Sequence, residues 1–480
     1  MVEPGDSGFG VDVSMELAGL VADRRLVRRA QKMLNRWQEK PGLGFPEVYR
    51  DSAELEAAYR FYGNASLTFD KLVQPHTDKS VERCGEHGGD VLCIHDTSTF
   101  VFGGDREGLG FINKNNRGFL GHFALAVSRS EDGEAPLPLG VVAATTWVRT
   151  ASRKSKGVPQ HQLRSSDDCE SHRWLNAVVD VERRFEGIDA PIHVMDREGD
   201  IYDVLSTMVA NGNRFVVRAL SNRKLESDDA DISLLFDALE GLEARLQQTI
   251  CVAPRKASRL PDQRAIYPAR AGRSAEVCVT ATPVTLKRTR NSSNDYPATT
   301  PLHVVHIFEP NPPKGQAPVE WVLLTSEPIS TDAELLNIIG IYRQRWLIEE
   351  FFKAIKTGCA FEKRQLGSYG ALANALAMTL PLAWEMLLLR AQSRTDGSLP
   401  AARFISPLRL EALSAYSKRA KRYPLPDNPT LRDVAYAIAG LGGHLKRNGP
   451  PGWQTLRRGF EQLLAFEEGW LASTNTYDQS

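Results

Sequence analysis

The sequence has no excess of charge, no paired cysteines and no long uninterrupted apolar run, and each lack closes off a class of protein. Lys+Arg and Asp+Glu both number 59, and the pI is about 7.2. The chain as a whole therefore presents no field to a polyanion, and any phosphate binding must come from local patches. The six cysteines (Cys84, Cys93, Cys169, Cys251, Cys278 and Cys359) are scattered without a C-x-x-C pair. That pattern excludes both a disulfide scaffold and a thiolate zinc site, and fits reduced thiols in a cytoplasmic protein. The opening MVEPGDSGFG has no basic segment ahead of an apolar run, so no secretion signal is expected. Leu372–Leu389 is the most membrane-like stretch, but Asn374, Thr379, Pro381 and Glu385 interrupt it. A buried helix is the expectation there, and no membrane partner.

What is present is ordinary in bulk and uneven in detail. The 480 residues, 42% hydrophobic and 25% charged, suit a globular protein of about three domains at roughly 150 residues each. Residues 21–40 carry seven Lys/Arg against two acids, and residues 254–290 carry nine against two. In the first patch a helix is expected from Asp23, a plausible N-cap. Arg24, Arg25, Arg28, Arg29, Lys32 and Arg36 then fall within an arc of about 140°. Leu26, Val27, Ala30, Met33, Leu34 and Trp37 take the opposite arc, so the helix has an apolar seam and a cationic face. A second helix is expected near Ser52–Tyr62, closing a helical domain over 1–70.

From Val91 the pattern changes to strand-length apolar runs at Val91–Ile94, Phe123–Val127, Leu139–Ala144, Ile192–Met195 and Phe215–Val217, with helices at about 171–185 and 201–211. Three strands followed by helix–strand alternation predict an α/β domain, a mixed sheet with helices on its faces. The Gly- and Asn-rich stretch Gly103–Gly118 reads as a mobile loop. Residues 220–325 read as a β-rich, basic insertion, and one long helix is expected over Thr331–Thr357. A helical domain follows over 376–480, broken near Pro424–Pro429 and Gly449–Gly452, leaving 71–375 as the central domain.

Asp96 closes the first apolar run and Asp196 a later one. Carboxylates at the carboxyl ends of strands lie where ligands collect in such folds, and two oxygen anions suit Mg²⁺. Either could equally serve as a turn or cap residue. In the expected long helix, Tyr342, Arg345, Glu349 and Lys356 fall within a stripe about 60° wide, whereas Glu350 points about 100° away from Glu349. One row thus offers a carboxylate for a metal and cations for phosphates, although ordinary i,i+4 ion pairing would give the same pattern. His303 and His306, at odd spacing in a strand, should face opposite ways, as should His95 and Asp96. Asp200 is expected to cap the helix that follows.

The row Tyr342-x2-Arg345-x3-Glu349-x6-Lys356 resembles the YREK signature of bacterial DDE cut-and-paste transposases of the insertion-sequence-four group. So do the segments Met195–Ile201, Asn311–Pro313, Trp321–Pro328 and Ala439–Gly443, in the same order, and the resemblance runs from about Asp23 to the last helix. It implies an RNase H-like core interrupted by the β-rich insertion, with Asp96, Asp196 and Glu349 holding two Mg²⁺ ions for which Mn²⁺ can substitute. Tyr342, Arg345 and Lys356 would contact transposon-end phosphates, Trp321 would stack on a flipped base, and Arg218 would act in hairpin formation and resolution. The basic helix bearing Arg24, Arg25, Arg28, Arg29 and Lys32 would help bind the transposon end, and the insertion would add phosphate contacts. Implied partners are transposon-end duplex, target DNA and a second copy of the chain, joined through the C-terminal helices around Gln454–Trp470. The implied setting is the bacterial cytoplasm, at the nucleoid.

Overall fold

The structure, a computed structural model, describes residues 24–39, 42–49, 51–113, 115–129, 136–149, 170–227, 232–252, 254, 269–395, 400–403, 405, 407–421, 423–445, 447 and 450–477. Asp23, Cys169 and residues 255–268 of the basic stretch fall outside these residues, as does the side chain of Arg24. In chain order the elements are helices α1 Arg24–Glu39, α2 Phe45–Val48, α3 Ser52–Tyr62 and α4 Phe69–His87, then strands β1 Val91–Phe102, β2 Gly110–Phe111, β3 Arg117–Ser128 and β4 Pro138–Trp147. Helix α5 Glu170–Arg184, β5 Ile192–Met195, α6 Tyr202–Ala210 and β6 Arg214–Arg218 follow. After them come β7 Leu246–Val252, β8 Arg273–Lys287, β9 Thr299–Phe308 and β10 Glu320–Thr325. The remaining helices are α7 Asp332–Gln344, α8 Trp346–Lys353, α9 Tyr369–Thr395, α10 Pro407–Ala420, α11 Leu431–Leu441 and α12 Trp453–Tyr477.

These elements form two compact units whose chain segments interleave: Met1–Val158, Val179–Asp189 and Trp346–Ser480 make one, and Pro159–Val178 with Ala190–Arg345 the other. The first unit joins the N-terminal helices, the antiparallel strands β1, β3 and β4, and all the helices after Trp346. The seam of α1 is buried at Ala30, Met33, Leu34 and Trp37, while Arg25, Arg28, Arg29 and Lys32 are exposed, as an amphipathic helix requires. Phe45 stacks on Tyr62 at 5.2 Å and meets Trp37 edge-on at 5.4 Å, which closes α1, α2 and α3 around one aromatic core. Helix α9 contains the membrane-like stretch, and 89% of its most apolar window is buried, so it is a core helix. The expected boundary at 375/376 falls inside it.

Three expectations change in this unit. Strand β1 does not end at Asp96: it runs to Phe102, paired residue by residue with β3, which places Asp96 opposite Phe123 in mid-strand. Residues 103–118 are tied down rather than loose. Gly110 and Phe111 pair with β3, Glu107 exchanges backbone hydrogen bonds with Gly367 and Tyr369, and Arg106 donates to the carbonyls of Arg364 and Leu366. The long helix is interrupted at Arg345, and its last turn, Ala354–Gly358, is π-helical, so Lys356 leaves the strict 100° phase that aligned it with Glu349.

The second unit is a mixed sheet in the order β5-β6-β10-β9-β8-β7. Strands β5 and β6 are parallel, and α6 is the crossover between them. Both strands are buried on both faces, which explains their unbroken apolar runs. The remaining pairs are antiparallel. The β-rich insertion thus extends the sheet edge to edge from β6, and one core carries Met195, Phe215 and Val217 together with Leu286, Leu302, Val304 and Leu324. The fold class is α/β, as expected.

Candidate functional site

In the second unit, Asp196 directly follows β5 at its carboxyl end, as the strand pattern predicted. One of its oxygens accepts the Glu198 N–H at 2.8 Å and so caps the tight turn Arg197–Gly199. Gly199 is required there, because a Cβ at that position would lie 2.6 Å from the Cβ of Met195. The turn therefore holds Asp196 half-exposed at the strand end. Asp200 does not cap α6, whose N-cap residue Ile201 makes no side-chain cap bond. It is buried instead, and accepts from the Leu220 and Ser221 amides at 2.7 and 3.1 Å and from Arg223 Nε at 2.7 Å. A capping role was the natural reading of an acid before a helix. The partners that claim this one lie twenty residues downstream, where spacing gives no signal.

Around Asp196 the unit gathers four of the residues singled out above. Arg218 ends β6, donates to the Glu320 carbonyl at 2.8 Å and lies near enough to the phenol of Tyr342 to act on it. The Tyr342 ring meets Trp321 edge-on at 5.5 Å. Burial raises the Tyr342 pKa, with Asp196 adding to the effect while Arg218 and Arg345 oppose it, so this is a neutral phenol held among cations. For Arg218, burial lowers the pKa and Tyr342 opposes; Arg197 and Arg345 push the same way as burial. Arg197 and Arg345 thus both lie in the field of Arg218, and cations grouped in this way attract an anion. A cavity of about 630 Å³ elsewhere in this unit, near Arg214, Asn213 and His303, is lined by none of these residues.

The first unit holds the other three. Asp96, half-buried, accepts from the Thr97 amide at 2.7 Å. Phe100, four residues along β1, lies on the same face of the strand, and so does Phe123, its cross-strand neighbour. Onto this face α8 packs: Phe123 meets Phe352 at 5.8 Å and Phe351 at 6.4 Å, residues that follow Glu349 within the same helix. Lys356 Nζ lies 5.4 Å from the centre of the Phe100 ring, and burial lowers its pKa against the opposing effect of Glu362. One face of β1 thus carries Asp96 and receives both the helix of Glu349 and the ammonium of Lys356. Glu362, which no pattern singled out, accepts the Val101 amide at 3.0 Å and fixes the chain after Lys356 to that strand.

Among the described residues, no three His, Cys, Asp or Glu side chains are gathered tightly enough to hold a metal ion. His303 and His306 make separate contacts, with the Glu327 carbonyl and with Glu320, as their opposite faces require. His95 is buried, with its ring 5.8 Å from that of His122. On α1, Lys32 pairs with Glu54 at 2.7 Å and Arg36 approaches the same carboxylate at 3.8 Å, while Arg28 and Arg29 are exposed.

Residues 20–67 match the transposase DNA-binding family, and residues 168–382 match the transposase DDE domain. The first match spans the basic helix α1 through α3, and the second spans Asp196, Arg218, Trp321, Tyr342, Arg345, Glu349 and Lys356; Asp96 lies between the two matched stretches. Among solved structures, the chain is similar to a piggyBac transposase in a synaptic complex with hairpin DNA, at 8% identity and a TM-score of 0.29. That match covers 80% of this chain, which spans about half (54%) of the length of the solved one.

Proposed function

We propose that the protein is a DNA transposase of the insertion-sequence-four type, which excises its element and joins it to target DNA by phosphoryl transfer on an RNase H-like core. The observation that carries this reading is the grouping of Arg218, Trp321, Tyr342 and Arg345 beside Asp196, inside the stretch matching the transposase DDE domain. The steps are nicking at the transposon 3′ end, attack of the freed hydroxyl on the opposite strand to form a hairpin, hairpin opening by water, and strand transfer. In each an oxygen nucleophile displaces an oxygen at phosphorus, so no covalent protein intermediate is needed.

Asp96, Asp196 and Glu349 would hold two Mg²⁺ ions, with Mn²⁺ substituting; bound metal activates the attacking oxygen and stabilises the leaving one. All three are hard oxygen donors, which suits the metal. Mg²⁺ is commonly bound by one or two carboxylates plus substrate phosphates, so a closed three-ligand cage in the protein alone is not required. Arg345, Arg218 and Lys356 neutralise and orient the phosphates of the transposon end. Trp321, held edge-on by Tyr342, offers a face to a base turned out of the hairpin, a stacking worth about 1–3 kcal/mol. Arg25, Arg28, Arg29 and Lys32 dock the end duplex, and α12 pairs two copies in the synaptic complex, each binding one end and cutting the other. The protein acts in the cytoplasm at the nucleoid, on transposon-end and target DNA.

The test is strand transfer of pre-cleaved ends into a plasmid with Mg²⁺, comparing the parent with Asp96→Ala, Asp196→Ala and Glu349→Gln. The parent should join ends and each variant should lose about a hundredfold to a thousandfold, as when a group that stabilises developing charge in the transition state is removed. Cleavage without joining by the parent would make the protein a metal nuclease of similar architecture. Undiminished joining by Asp96→Ala would place the site elsewhere.

A further inference from the structure

Two glutamates stand side by side in α8, and only one has a place in the reading above. Glu350 is held from three directions. Its Oε2 accepts from Trp453 Nε1 at 2.9 Å and is paired with Arg390 Nη1, while Oε1 meets Lys353 Nζ at 2.8 Å. The Arg390 guanidinium lies 4.4 Å from the centre of the Trp453 ring, and its side chain is 10% exposed. Lys353 belongs to α8 itself, but Arg390 belongs to α9, and Trp453 is the first residue of α12. A half-buried carboxylate with an indole N–H and a stacked guanidinium on one oxygen is a fixed joint, because breaking any partner leaves the others under-satisfied.

We propose that Glu350, Arg390 and Trp453 form a positioning joint that fixes the rotation of α8, and hence the direction of Glu349, from the first turn of the C-terminal helix. This rests on the reading of Glu349 as a metal-binding carboxylate. At 100° per residue, two neighbours cannot both face one site; anchoring Glu350 sets where Glu349 points. Because the anchor is α12, the element assigned to pairing of two copies, the orientation of the carboxylate responds to the state of that helix.

The experiment uses the full chain with Trp453→Phe, which keeps an aromatic ring but removes the indole N–H, alongside Glu350→Gln and the control Glu349→Gln. Hydrogen–deuterium exchange over residues 346–353, without metal or DNA, should quicken about fivefold or more in the first two, as local opening becomes easier. The Mg²⁺ concentration for half-maximal nicking of an end duplex bearing the inverted repeat beside the gene should rise about tenfold or more, as when an outer support of a metal ligand is lost. Binding of that duplex in EDTA should stay within about twofold of the parent, since the joint touches no DNA-binding residue. Parent-like exchange and Mg²⁺ dependence in both variants, with Glu349→Gln inactive, would overturn the joint and leave the reading of Glu349 standing. If Glu349→Gln nicks as well as the parent, the reading of Glu349 itself fails, whatever the exchange shows.

Discussion

Lys356 sits over an aromatic ring with its ammonium largely withdrawn from water, an arrangement that costs folding free energy while it awaits a phosphate. Its pKa is lowered by burial from the ordinary 10.5, so the folded chain releases this proton at a lower pH than the unfolded chain. Between the two values the unfolded chain binds more protons and stability rises with pH; below the folded value the whole penalty is present. Lys356→Met should therefore melt higher than the parent at neutral pH, with the gap shrinking as the pH approaches and passes 10.5, and should lose end cleavage. Thermal melts across that range check the first part and a nicking assay the second; a lower melting temperature at pH 7 would show that the charge is compensated. At this scale the sequence was legible where the backbone is simple. Asp196 was placed correctly because a buried parallel strand reads as an unbroken apolar run. Asp96 was taken for a strand end because the apolar run stops at Ile94, whereas the polar residues that follow continue the ladder with β3 as far as Phe102. The environment of Asp200 was hidden because its partners lie some twenty residues downstream.

Among the elements, α1 and α3 were readable from periodicity alone, and α3 begins and ends where expected, at Ser52 and Tyr62. Helix α4 was not, since Pro75 lies inside it and its apolar residues follow no clean stripe. Nor does anything in the sequence announce Arg364. This side chain is 2% exposed, lies 4.5 Å from the Trp37 ring centre and 5.0 Å from that of Phe45, and donates to the carbonyls of Leu43 and Cys359. It ties the helical N-terminal module to the segment just after Lys356. Arg364→Met should destabilise the fold by about 3 kcal/mol or more, from lost cation–π contact and carbonyls left without their charged donor. Arg364→Lys should recover only part of this, because one ammonium cannot span both carbonyls as a planar fork does. Denaturant titration of the two variants decides it, and a loss below about 1 kcal/mol in Arg364→Met would mean that the cavity readily admits other partners. On the exposed face of α1, each of Arg28→Ala and Arg29→Ala should reduce the slope of log binding against log salt by about one, uniformly across DNA sequences. Gel shifts at several salt concentrations measure this, and an unchanged slope would place the phosphates elsewhere.

For the whole molecule, a balance of 59 basic and 59 acidic residues conceals the separation that matters, with cations on α1 and around Tyr342, and carboxylates committed to structural partners such as Arg223, Arg273 and Arg390. Compactness was the property least legible in the chain. Which segments pack together into the two interleaved units depends on contacts between residues hundreds of positions apart, and composition carries no sign of them. That interleaving gives the assignment of tasks between two copies a direct test. In the proposed synaptic pair, the copy that binds an end is not the copy that cuts it. A Glu349→Gln chain retains Arg28 and Arg29 and should bind ends without cutting, whereas an Arg28→Ala/Arg29→Ala chain retains its carboxylates and should cut poorly for want of binding. Mixed, the two should nick an end duplex at least about tenfold faster than either alone, because the bound end meets the intact carboxylates of the other copy. Were each copy to cut the end it binds, neither chain could supply what its own partner lacks, and the mixture would do no better than the sum of its parts.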